Sequence, residues 1–145
     1  MSPAAGGRPL LVALRALGLG DLLTAVPALR ALRERFPEHR PVLAAPAPLA
    51  PLARLAAGFE VADTAPLAPL PQALHGADVA VNLHGRGPQS HRALLAARPR
   101  RALWFASPEV PESAGGPRWR EEEHEVRRWC RLLAHYGIPA DPRRL

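Results

Sequence analysis

Two glycine-rich stretches gather the residue types that do chemistry: Gly18-Leu19-Gly20-Asp21, and His84-Gly85-Arg86-Gly87 with Ser90 and Arg92 just beyond it. In the first, an acid opens a run of helical period, and two readings of Asp21 follow. As a helix cap its carboxylate satisfies free N–H groups and contributes about 0.5–2 kcal/mol. As a general base it is kept ionised by the helix dipole and set beside a bound hydroxyl. Such an acid is a weak base in the ground state. That matters less where the hydroxyl loses its proton late, as its oxygen attacks an electrophilic carbon. In the second stretch, Arg86 can offer its guanidinium to a phosphate or carboxylate, with Ser90 and Arg92 adding donors to the same anion. The plainer alternatives are a tight turn built by Gly85 and Gly87 and a His84 held by ordinary loop hydrogen bonds.

Several familiar sites do not fit. A dinucleotide fingerprint beginning at Gly18 and Gly20 needs a third glycine where Leu23 stands, and the stretch VLAAPAPLAPLAR (42–54) lacks the acid that would hold a ribose. An acid at the helix start also repels a pyrophosphate. A Walker loop needs a lysine, and the chain has none. Its one cysteine, Cys130, cannot form an internal disulfide or a cysteine-based metal site, and its six histidines lack paired ligand spacing. Neither a metal nor a resident cofactor is expected.

The elements that must position these residues can be read from period and punctuation. A strand is expected at Pro9–Arg15, a continuous apolar run bounded by turn formers, and further short strands at Pro41–Ala45, Phe59–Asp63, Ala77–Leu83 and Arg101–Phe105. From Asp21, the residues Leu22, Val26, Leu29, Leu32 and Phe36 recur at helical steps, despite Pro27 within the run. Further helices are expected at about Leu49–Ala57, His91–Ala97 and Glu121–Tyr136, the last stopped by Gly137 and Pro139. Five strands with connections of crossover length predict an α/β fold, a Rossmann-like, doubly wound parallel sheet of order 3-2-1-4-5. The strand order then reverses between the first and fourth strands, and both glycine-rich stretches reach the crevice at their carboxyl ends. Residues 1–139 are expected to form this domain, and 140–145 to begin an interdomain linker.

The net charge is +6 and every basic residue is an arginine, which fits either a solvated surface or an anionic partner such as a phosphorylated sugar, a nucleotide or an acidic membrane surface. Nucleic acid is not an expected partner. The arginines are scattered, only 5% of residues are aromatic, and no reading helix stands out. No secretory signal or membrane-spanning run is found, and a lone cysteine suits a reducing cytoplasm.

Three segments in order, LRALGLGDLLTAVPALRALRERFP (14–37), ADVAVNLHGRGPQSHRALLA (77–96) and HEVRRWCRLLAHYGIP (124–139), resemble the N-terminal half of glycosyltransferase family 9, the heptosyltransferase-like enzymes. The likeness runs over residues 9 to 139, with a G-D-x-L-x-x-x-P core at Gly20, Asp21, Leu23 and Pro27. It implies one half of a GT-B architecture, with an acceptor-binding N-terminal domain facing a C-terminal domain that holds the nucleotide-sugar donor. It further implies an inverting, metal-independent transfer of a heptose-like sugar to a glycan or glycolipid acceptor. Asp21 maps onto the family's proposed base, and the two glycine-rich stretches, read by themselves, supply the expected substrate-binding residues Gly18, Gly20, His84, Arg86, Gly87, Ser90 and Arg92. The implied setting is cytoplasmic, with peripheral contact at the inner face of the membrane where the acceptor is a glycolipid. Two departures stand out. The donor-binding half is not in this chain, and Gln89-Ser90 stands where lipopolysaccharide-modifying members carry lysine-serine, so the acceptor need not be a lipopolysaccharide core. The alternative is a non-catalytic Rossmann-like binding or interaction module.

Overall fold

The computed structural model describes residues 7–145; the first six residues of the expected domain lie outside that range. Five strands, β1 (Leu10–Leu14), β2 (Arg40–Ala45), β3 (Glu60–Asp63), β4 (Val79–Asn82) and β5 (Arg101–Leu103), form one parallel sheet in the order β3-β2-β1-β4-β5. The expected α/β class and strand order are those of the structure. Strand β1 is apolar throughout because both of its faces are covered. Its alternate side chains feed two cores. Leu11 and Ala13 join Leu29, Leu32, Trp129 and Leu133 on one face, while Val12 and Leu14 join Leu70, Leu74, Leu94 and Trp104 on the other.

Four α-helices among the described residues pack on this sheet: α1 (Leu19–Arg35), α2 (Ala50–Ala57), α3 (Gln89–Ala96) and α4 (Glu125–His135). Helix α1 buries Leu22, Ala25, Val26, Leu29 and Leu32 along one stripe and continues through Pro27, whose missing N–H forgoes one intrahelical bond. It starts two residues before the expected Asp21. Gly18 is the capping residue and Asp21 stands in the first turn. Helix α4 also differs from expectation, beginning at Glu125 instead of Glu121. The His124 Nδ1 accepts the Val126 amide at 3.3 Å and starts the helix there, and the Arg120 and Glu121 carbonyls are taken by the Arg128 guanidinium. Residues 140–145 run back along α1, where Arg144 meets Glu34 at 2.7 Å and its carbonyl accepts from Arg30 at 3.2 Å.

The amino ends of the strands are closed by charge. Asp78 accepts from His39 at 2.7 Å and from Arg100 at 2.5 Å, and its amide donates to the Leu10 carbonyl. The carboxyl ends are left for the site.

Candidate active site

β1 and β4 are neighbours in register, with Leu14 opposite Asn82, and past these residues the chain departs from them in different directions, into α1 and α3. This is the point where the strand order reverses. The Ala16 amide donates to His84 Nδ1 at 3.2 Å, binding the turn after β4 to the turn after β1. A ring nitrogen that accepts an amide proton carries none itself, so the other, Nε2, bears the proton of the neutral ring. Burial, together with the Arg15 cation, pushes the His84 imidazole below its ordinary pKa, against a smaller opposing pull from Asp21.

The Asp21 carboxylate is half exposed, at 52% of its side-chain surface. Its Oδ2 accepts the Gly18 amide at 3.3 Å, the acid half of a capping box, and its Oδ1 lies 3.7 Å from Arg15 Nη2. Capping engages one oxygen and leaves the other on the rim, so the two readings of Asp21 are compatible. Gly18 and Gly20 are both exposed beside it. A methyl group added at Gly20 would meet nothing within 4 Å, and one at Gly18 would reach only the Asp21 carboxylate at 3.9 Å, so packing within the chain does not require either glycine.

Beneath the rim lies a residue that the spacing of motifs did not single out. Arg15 follows the last residue of β1 and is 2% exposed. Its Nε donates to the Asp21 carbonyl at 2.5 Å, Nη1 to the Leu83 carbonyl and Nη2 to Thr24 Oγ1 at 3.1 Å, while Nη2 also lies 3.4 Å from Glu125. The guanidinium sits over the Trp129 ring, 4.9 Å from its centroid. One buried cation therefore ties together the first turn of α1, the end of β4 and the start of α4. Asn82 does the same for the second turn. Its Oδ1 accepts the amides of His84 at 2.8 Å and Gly85 at 3.4 Å, and its Nδ2 donates to Ser90 Oγ at 2.8 Å and His91 Nδ1 at 3.0 Å. A buried asparagine with all its bonds made is a positioning group. The polar residue closing the apolar run ADVAVN was the available signal.

The remaining expected site residues divide. Ser90 is buried, and its hydroxyl accepts from Asn82. Gly87 has φ +82, and a methyl there would lie 2.5 Å from the His91 ring, so the fold itself requires this glycine. His91 cannot yield: it donates to the Phe105 carbonyl at 2.7 Å and stacks on Trp104. Arg86 is exposed and ion-paired with Glu121. It borders a separate cleft of about 700 Å³ walled by Pro88, Ser107, Pro111, Trp119 and Glu121, whose lining includes neither Asp21 nor His84. Arg92 is exposed on α3. Asp21, Gly18, Gly20 and His84 thus share one rim, Arg86 and Gly87 line the neighbouring cleft, and Ser90 serves the support beneath. Among the described residues no cluster of three or more His, Cys, Asp or Glu side chains could hold a metal ion.

No protein-family model matches the chain, and no curated protein matches it in sequence. Solved structures do match in fold. A glycosyl transferase family 9 protein from Veillonella parvula DSM 2008 superposes with a TM-score of 0.67 over 90% of this chain and 41% of its own, at 14% identity. The E. coli heptosyltransferase WaaC, solved with ADP, gives 0.61 over 86% of this chain and 45% of its own, at 16% identity. The chain spans less than half the length of either, and over that span it has the Rossmann-like α/β fold of these glycosyltransferase structures.

Proposed function

We propose that this chain is the acceptor-binding half of an inverting, metal-independent glycosyltransferase that moves a heptose-like sugar from a nucleotide-sugar to a hydroxyl of a glycan or glycolipid. Asp21 is the general base. The acceptor oxygen attacks the anomeric carbon, the bond from that carbon to the nucleoside diphosphate breaks, and the hydroxyl proton passes to the Asp21 carboxylate. The donor is held by a second domain, and Arg86 contributes to acceptor binding from the adjoining cleft.

The observation that carries this reading is the placement of Asp21: a half-exposed carboxylate at the reversal point of the sheet, aimed by a buried arginine and flanked by two glycines that packing does not explain. The fold shared with glycosyltransferase structures supports the reaction class. No helix among the described residues is long and apolar enough to cross a membrane, and the reading places the protein in the cytoplasm, against the inner face of the membrane where its acceptor is a glycolipid.

The test is transfer by the whole enzyme, the chain joined to its donor-binding domain, from a nucleotide-sugar to an acceptor hydroxyl. Asp21→Asn is expected to lower turnover about 100-fold or more with an unchanged circular dichroism spectrum. Near-normal turnover in that variant removes Asp21 as base. No transfer by the unaltered enzyme, with retained glycan binding, favours the non-catalytic module.

A further inference from the structure

Glu125 stands in the first turn of α4 with its carboxylate 41% exposed, between two arginines that are almost fully buried. One oxygen lies 3.4 Å from Arg15, and the other is ion-paired with Arg128. Each arginine also donates to main-chain carbonyls, and the two sets lie on opposite sides of the helix start. Arg15 holds Asp21 and Leu83, while Arg128 holds Arg120 at 2.6 Å and Glu121 at 3.2 Å. Two indoles line the same path. Arg15 lies over Trp129 and Arg128 over Trp119, the latter at 3.9 Å, and the two rings meet edge to face. Trp119 and Glu121 are walls of the cleft, and Glu121 pairs with Arg86. A continuous line of charge-assisted bonds therefore runs from the Asp21 turn to the cleft.

We propose that Glu125 is a positioning residue for the reaction, holding the Asp21 turn and the cleft wall in one fixed relation through Arg15 and Arg128. The proposal rests on the glycosyltransferase reading above. Its physical basis is the cost of burying like charges. The two guanidiniums repel each other, and Glu125 is the carboxylate they share. Without its charge, Arg15 keeps only the more distant Asp21 carboxylate at 3.7 Å, and Arg128 loses its ion pair. Relief comes when one or both side chains rotate toward water and release the carbonyls they hold. An acid in the first turn of a helix is also favoured by the helix dipole alone. Glu123 supplies the control: it stands just before the same helix, pairs with Arg131 of α4 at 2.7 Å, and has no ion pair or hydrogen bond with Arg15.

The experiment compares Glu125→Gln with Glu123→Gln by amide nuclear magnetic resonance on the 145-residue chain. Glu125→Gln is expected to move resonances at Gly18–Thr24 and at Trp119–Glu121 together. It is also expected to raise the titration midpoint of His84, because release of Arg15 removes a cation that disfavours imidazolium. Glu123→Gln is expected to leave Gly18–Thr24 and His84 unmoved. Changes confined to the first turn of α4 would overturn the proposal, since a dipole role predicts only those. Should Glu125→Gln fail to fold, Glu125→Asp, which keeps the charge but shortens its reach, is read the same way. In the whole enzyme, Glu125→Gln is expected to lower kcat about 10-fold or more, as for a reacting group displaced by a fraction of an ångström, and to raise KM for the acceptor, whose cleft wall it also releases. Wild-type kcat in that variant overturns the inference and leaves the function standing. An inactive wild type with the resonance pattern intact overturns the function and leaves the Glu125 linkage standing as architecture.

Discussion

His84 accepts the Ala16 amide at 3.2 Å, so the turn that follows β4 is hydrogen-bonded to the turn that follows β1. Residues 68 positions apart thereby share one rim, and the same separation recurs below it, where Arg15 donates to the Leu83 carbonyl. The rim is held from underneath by a buried charge and from above by an imidazole with a defined tautomer.

Arg15→Met keeps most of the volume and removes every donor. The Leu83 carbonyl loses its charged partner, and Glu125 keeps only Arg128. A stability loss of about 3 kcal/mol is expected, read as a lower urea midpoint at constant m. A loss below about 1 kcal/mol, the range of a surface pair, would mean that the arginine is not the hub its geometry describes.

Gly20→Ala separates stability from function. The position lies in the first turn of α1, its added methyl meets no neighbour, and a helical glycine costs conformational entropy. Thermal denaturation should show a gain of roughly 0.5–1 kcal/mol. In the whole enzyme the same methyl stands beside Asp21 on the substrate side, so KM for the acceptor is expected to rise. A stabilised variant with unaltered kinetics would take Gly20 out of the site.

Acid should weaken the fold in two stages. Burial lowers the folded-state pKa of His84 and of His91, so below about pH 6.5 the unfolded chain binds protons that the native one refuses. Stability from these groups is complete above that value and is lost as pH falls toward the lowered folded pKa values. Asp78 is held below its ordinary pKa by hydrogen bonds from His39 and Arg100, and its contribution is lost only below about pH 4. Urea unfolding between pH 7.5 and 5 measures the first stage. His91→Gln is expected to flatten that slope, and an unchanged slope would assign it elsewhere.

Cys130 should be inert. Burial, with a smaller effect from Asp141, pushes its thiol up to about 11, and the thiolate is the reactive form. An aromatic disulfide reagent at neutral pH is expected to leave the native chain unlabelled and to label it on unfolding in urea. Rapid native labelling would show that α4 opens locally.

Much of this architecture is local, and local features can be read along the chain. The apolar run from Leu10 to Leu14 needs burial on both faces, and the spacing of Leu22, Val26, Leu29 and Leu32 permits only a helix that packs along one side. Crossover lengths then leave few sheet orders open, and β3-β2-β1-β4-β5 is among them. Gly18, Gly20 and Asp21 could be placed at the crevice on those grounds.

The start of α4 shows where such reading stops. Glu121, Glu122 and Glu123 have the composition of a helix's first turn, yet Glu121 is drawn to Arg86 and Glu123 to Arg131, and His124 caps the helix after them. Ser90 could face either the rim or the interior, and only Asn82 beneath it decides. Sequence alone determined the elements, their order and the acid at the turn, because apolar period and turn chemistry are properties of neighbouring residues. Tertiary structure alone decided that Arg15 is buried. An arginine ending a strand goes to solvent unless distant parts of the chain supply partners, and here Leu83, Glu125 and Trp129 arrive together to receive it.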